Sequence, residues 1–121
     1  MSINSYRDLK VWQAGLSLTK QVYLLTQKFP KHEIYGLSSQ MQRAAVSIPS
    51  NIAEGCARDS TQEFLRFIAI ALGSLAELET QLILAKELDY IDATSLAKIL
   101  SHSHETQLML RGLQKSLKAK L

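Results

Sequence analysis

Between residues 50 and 121 no proline occurs, and within that stretch Ala71, Leu75, Leu78, Leu82 and Ala85 recur at alternating four- and three-residue intervals. Residues at that spacing share one face of a helix, whereas a strand turns every second residue to the same side, so the chain is committed to long amphipathic helices. Pro30 and Pro49 are the only two prolines, no stretch is rich in Gly and Ser, and Leu, Ala, Gln, Lys and Glu dominate. These are strong helix formers, and the reading is all-α. Four helices are expected. The first runs from about Asp8 to Lys28, opened by Ser5 with Asp8 three residues on and closed at Phe29-Pro30. The second runs from about Glu33 or Leu37 to Gly55, the third from Thr61 to Leu88 and the fourth from Ala93 to Lys118. Ser60 with Glu63 forms a second capping box, and Asp92 after Ile91 supplies an N-cap with an apolar neighbour. Short links between long helices predict an antiparallel up-down-up-down four-helix bundle, one domain over residues 1–121.

The apolar pattern exceeds what one core needs. On the first helix Val11, Gly15, Leu18, Val22, Leu25 and Phe29 form one stripe, while Leu9, Trp12, Leu16 and Tyr23 form a second about 120° around the helix. On the third helix Phe67, Ile70 and Ile83 fall outside the heptad seam. The surplus predicts either a very wide core face or a surface buried against another subunit. The interface between identical chains is therefore expected at Leu9, Trp12, Leu16, Tyr23, Phe67 and Ile70. The second helix presents Leu37, Met41, Ala44, Ala45, Ile48 and Ile52 on one face and carries Pro49 inside it. The ring removes a backbone donor, so a kink near Ser47 is expected, with Ser47, Ser50 and Asn51 satisfying the freed groups. Ser103 and Thr106 interrupt the stripe of Leu96, Ile99, Leu110, Leu113 and Leu117 on the fourth helix, whose centre should pack less tightly.

Several structural classes are excluded. The single cysteine, Cys56, forms no internal disulfide and has no His or Cys companions at metal-ligand spacing, so no metal site and no cofactor are expected. The longest purely apolar run is a few residues against the roughly 20 needed to cross a bilayer, and no signal peptide is legible; the expected location is cytoplasmic. His102 and His104, two apart on a helix, point about 200° away from one another and cannot share a metal. His32 reads as a solvent-facing loop residue, and Cys56 as a small half-buried one. Glu54 has no His or second carboxylate at a defined spacing, so a cap or a salt bridge fits it better than catalysis. No catalytic signature is present, and the chain is read as not an enzyme. Trp12, Tyr23, Phe29, Tyr35, Phe64 and Phe67 lie at helical spacing, which favours core or subunit contacts over base stacking.

Five blocks of sequence carry a resemblance to a known family. They are Tyr6-Arg7-Asp8-Leu9-Lys10-Val11-Trp12, Tyr35-Gly36-Leu37, the stretch from Arg43 to Gly55 with its Ser-Ile-Pro-Ser-Asn-Ile-Ala-Glu-Gly core, the stretch from Ala71 to Leu82, and an ending at Gly112-Leu113 and Ser116-Leu117-Lys118. Together they resemble the four-helix-bundle family named for the 23S rRNA intervening-sequence protein, also called the S23 ribosomal protein family. The chain is similar, too, to the accessory protein of diversity-generating retroelements. The resemblance implies a non-enzymatic bundle that assembles as a homopentamer and associates with RNA or another nucleic acid, with a protein partner alongside. Two departures weaken the basic patch that it implies: Gln42 precedes Arg43 where a second basic residue is common, and Cys56-Ala57 follows Gly55 where an aromatic residue and a glycine are common.

Charge is unevenly divided along the chain. Residues 1–32 hold five Lys and Arg against Asp8 alone, and residues 93–121 hold five against Glu105 alone, whereas residues 61–92 hold two against six acids. In an up-down bundle the first and last helices can be neighbours, so their cations could make one positive face for phosphates. The net charge of +3 is modest for one chain but is multiplied in an assembly. The expected nucleic-acid contacts are Arg7, Lys10, Arg43, Arg58, Arg66, Arg111, Lys115 and Lys118. For Arg43, pairing with Glu54 or Glu77 is the structural alternative. The competing reading of the whole chain is a protein-binding adaptor whose cations merely complement the acidic third helix.

Overall fold

The computed structural model describes residues 5–121. Four helices follow one another: α1 (Lys10–Thr26), α2 (Leu37–Ala57), α3 (Thr61–Glu87) and α4 (Ala93–Lys118). Each packs on its sequence neighbours and α4 closes back on α1, while the diagonal pairs make no close approach, which is the up-down-up-down bundle. The α2–α3 pairing is the most extensive, and α1–α4 is the most sparsely packed. At 1.5 Å per residue α3 is about 40 Å long.

The caps explain the boundaries. Ser60 Oγ accepts from the Glu63 N–H at 3.1 Å, and Asp92 Oδ1 from the Ser95 N–H at 2.7 Å, as expected. Ser5 behaves differently: its hydroxyl accepts from Arg7 N and caps a single 3-10 turn, Tyr6–Asp8, so the α-helix itself begins only at Lys10. At the end of α3, Asp89 takes φ +62° while the Tyr90 N–H reaches the Ala85 carbonyl at 2.9 Å, a Schellman closure in which Asp stands in the place usually held by glycine.

The first stripe of α1 and the seam of α3 form the core with the small-residue face of α2, and Val22, Met41, Ala45, Ile48, Ile52, Leu78 and Leu82 are completely buried. Gly15 lets α1 pass directly over Pro49: a β-carbon there would lie 3.3–3.4 Å from the proline ring. The carbonyl freed by Pro49 belongs to Ala45, and its partner comes from α1 rather than from α2 itself: Thr19 Oγ1 lies 3.0 Å from Ala45 O and 2.7 Å from Gly15 O. Asn51 and Ser47 are used otherwise. Asn51 Nδ2 donates to the Ser47 carbonyl and hydroxyl, and Ser47 Oγ lies 2.8 Å from Ser74 Oγ on α3. In α4 the buried Ser103 and Thr106 are satisfied by Glu79 Oε2 at 2.7 Å and the His102 carbonyl at 2.9 Å.

By length and composition α3 is apolar enough to cross a membrane, contrary to the expectation drawn from uninterrupted apolar runs. Gly73, Ser74, Thr80 and Gln81 break those runs without adding charge, and only Glu77 and Glu79 are charged between Phe67 and Leu84. Its seam is nonetheless enclosed by α2 and α4, as befits the central helix of a bundle.

Candidate nucleic-acid interface

The antiparallel order sets which cations meet. The start of α1, the α2–α3 turn and the end of α4 all lie at one end of the bundle, and the depression lined by Cys56, Arg58, Ser60, Thr61, Phe64, Leu117 and Lys120 joins two of these pieces. Arg7, Lys10, Arg58, Arg66, Arg111, Lys115 and Lys118 therefore belong to one end, and all are exposed. Arg43 does not. It lies fifteen residues before Arg58 on α2, about 22 Å up the bundle. Counting Lys120, the end holds eight cations against the four carboxylates of Asp8, Glu54, Asp59 and Glu63.

Those carboxylates are not spread evenly. Arg58 sits 3.0 Å from Glu54 and 3.7 Å from Glu63, and Arg66 Nε donates to Glu63 Oε2 at 3.1 Å. Both guanidinium groups also stack on Phe67, at 5.0 and 4.9 Å from its ring. Gly55 of α2 comes close to the base of the same side chain, where a β-carbon would lie within 2.7 Å of Phe67 Cβ. At 5% exposure within a single chain Phe67 belongs to this chain's own interior, a correction to its expected place at an interface between identical chains. The two arginines are locally neutralised, whereas Arg7, Lys10, Lys115 and Lys118 form no ion pair among the described residues. Arg111 donates to Gln114 at 3.0 Å, an uncharged partner.

Arg43 pairs with neither Glu54 nor Glu77. It stands between two surface depressions, one shared with Tyr23 and Val46 and the other with Ser47, Ser74 and Glu77. Of the remaining stripe residues, Leu16, Tyr23 and Ile70 are 45%, 42% and 40% exposed, while Leu9 and Trp12 are half-buried against the core. Trp12 meets the Tyr6 ring edge-on at 5.2 Å. Burial pushes the Cys56 thiol above its ordinary pKa, which disfavours the reactive thiolate. Among the described residues no group of three His, Cys, Asp or Glu side chains is placed to hold a metal ion. The role of Glu63 between the two arginines escapes the sequence reading; the only signal is that Arg66 follows it by three residues.

A family model, the 23S rRNA-intervening sequence protein, matches residues 7–112. The chain belongs to the 23S rRNA-intervening sequence protein family. A solved protein of unknown function from the S23 ribosomal protein family of Bacteroides thetaiotaomicron VPI-5482 is similar in structure, with a TM-score of 0.78 and 25% identity over 87% of this chain and 98% of that one. No curated protein matches. The match to the family includes Arg7, Lys10, Arg43, Arg58, Arg66 and Arg111, whereas Lys115 and Lys118 lie beyond it. Neither the family description nor the similar structure names an enzymatic activity.

Proposed function

We propose that this member of the family is a non-catalytic, homo-oligomeric helical scaffold in the cytoplasm that binds RNA through the cations gathered at one end of its bundle. The observation that carries the reading is the convergence of Arg7 and Lys10 with Arg111, Lys115 and Lys118: residues from opposite ends of the sequence meet where the bundle closes, without carboxylate partners. A surface of that kind gains by releasing the counterions of a polyanion. The exposed Leu16 and Tyr23 on α1 and Ile70 on α3 support assembly. Tyr23 shares a depression with Val46 of α2, itself 39% exposed, so the apolar surface of α1 continues onto α2. The resemblance implies five subunits, and five copies would multiply the basic ends.

Retention of a labelled 23S rRNA fragment on filters, titrated against salt, tests the RNA reading. Log affinity should fall linearly with log salt, and Arg111→Gln with Lys115→Gln should flatten the slope by about 0.7–0.9 per lost phosphate contact. Absence of retention at low salt refutes it. Light scattering tests the ring separately, since a monomer at high concentration leaves Leu16 and Tyr23 uncovered. A protein-binding adaptor is the second reading, favoured by the neutralisation of Arg58 and Arg66 by Glu54 and Glu63.

A further inference from the structure

The α1–α4 seam, on a different side of α1 from Leu16 and Tyr23, holds a broad depression. It measures about 590 Å³ and lies between Gln21, Leu24, Leu25 and Lys28 of the first helical segment and Ser95, Lys98, Ile99 and His102 of α4. A second depression of about 230 Å³ continues it past Ala14, Leu18 and Met109. Gln21 and His102 line both, and join the two helices through a 2.7 Å hydrogen bond between Gln21 Oε1 and His102 Nδ1. From Ala14 to Lys28 the seam is about 21 Å long, four turns of a helix.

We infer that this groove receives an acidic amphipathic helix from a protein partner. Three observations set the chemistry. The floor is apolar: Leu24 is 53% exposed, with Leu25 and Ile99 beside it, and a phosphate backbone gains nothing from such a surface. The wider depression is cationic: Lys28 and Lys98 flank it without an ion pair among the described residues, no carboxylate lines it, and the one carboxylate in the seam, Glu105, lies in the narrower depression. Asp92, the carboxylate whose field Lys28 feels, is already held by the Ser95 N–H. Finally, α1–α4 is the most sparsely packed of the four helix pairs, so a third helix lies across an existing furrow rather than forcing one. A stripe of apolar residues at helical spacing would meet Leu24 and Ile99, and flanking carboxylates would meet Lys28 and Lys98, the helix-in-groove mode of recognition.

The probe is a fluorescein-labelled, end-blocked helical peptide of 18 residues with Leu at i, i+3, i+4 and i+7 and Glu on its flanks, read by anisotropy against the whole protein. A control peptide carries Lys in place of each Glu. Saturable binding of the acidic peptide, weakened at least tenfold by Lys28→Glu with Lys98→Glu and by Leu24→Glu, is expected, with amide shift changes confined to residues 14–28 and 95–109. Both sets of variants alter exposed side chains; should Leu24→Glu melt early, the lysine variants decide alone. Equal binding of the basic control, or undiminished binding by the variants, overturns the inference. So does loss of the protein's own assembly in Leu24→Glu, which would give the groove to a second copy, or displacement of the peptide by RNA with the same dependence on the lysines. The inference stands or falls apart from RNA binding at the far end of the bundle.

Discussion

Pro49 sits in the middle of a 21-residue helix whose interior must remain dry, and the single hydroxyl of Thr19 compensates for it. Thr19→Val keeps the shape and removes the proton. The Ala45 residue is fully buried, so its carbonyl would be left without a partner. An unsatisfied buried backbone acceptor costs about 1–3 kcal/mol. Here the lower half of that range applies, because the Thr19 proton is shared with Gly15 O at 2.7 Å and the new methyl group adds some apolar contact. The expected loss of about 1–2 kcal/mol corresponds to a fall in Tm of roughly 4–8 °C for a chain of this size. Guanidinium melts at one fixed protein concentration should show a lower midpoint with an unchanged slope. The decisive variant is Pro49→Ala, which restores an N–H to Ala45 O. In that background Thr19→Val should cost at least about 0.5 kcal/mol less, the coupling expected of groups serving one acceptor. An equal cost in both backgrounds would show that Thr19 does not compensate for the proline.

Gly55→Ala should destabilise by about 1–3 kcal/mol despite the better helix propensity of alanine, since its β-carbon would lie 3.0 Å from Phe64 Cδ1 and 2.7 Å from Phe67 Cβ, an atom fixed to the α3 backbone. Gly112→Ala, with nothing within 4 Å, is the control and should raise Tm; a fall in both would point to something other than crowding. The carboxyl of Glu33 is held below its ordinary pKa by the Leu37 N–H and then by the Tyr90 hydroxyl, which donates at 2.8 Å, with His32 adding to the effect. A depressed folded-state pKa gives stability that is present above the usual carboxylate range and lost as pH falls through the lower folded value. Urea midpoints at pH 5 and pH 3 should therefore separate more in the wild type than in Tyr90→Phe.

Where local chemistry decides the outcome, the sequence was a good guide. Ala93–Lys118 begins and ends where Asp92 and the apolar period place it, and Ser60 caps α3 because a hydroxyl three residues before Glu63 has an N–H to accept from. The failures arise where two elements compete for one residue. Ser5 and Asp8 have capping-box spacing, but a 3-10 turn takes the cap and the α-helix starts after it. Pro49 announces an unmet carbonyl, yet nothing in α2 alone reveals that its partner is a threonine 26 residues earlier on α1. Phe67 lies outside the heptad seam and still becomes buried, because Gly55 lets α2 come close enough to cover it and two arginines close over its ring. For the same reason the eight nominated cations could be named from the sequence, but not the fact that two of them are neutralised and one, Arg43, stands about 22 Å up α2 from Arg58.

That division among the cations leaves one question that charge counting does not answer: whether Arg58 and Arg66 brace the α2–α3 turn or belong to the surface that meets a polyanion. Glu63 is the residue that separates the two cases, since it touches both guanidinium groups. Removing its charge as Glu63→Gln leaves both stacked on Phe67 and so leaves them in place. The exposed ion pairs are worth at most about 1 kcal/mol, and the fold should survive. If the turn faces RNA, the freed positive charge should tighten binding several-fold at low salt and steepen the salt dependence. If it only braces the turn, RNA affinity should be unchanged while stability drops slightly. Tighter binding would extend the interface across the end of the bundle from α1 and α4 to the α2–α3 turn. Unchanged binding would confine it to the cations of Arg7, Lys10, Arg111, Lys115 and Lys118, where the two outer helices alone would make the positive face.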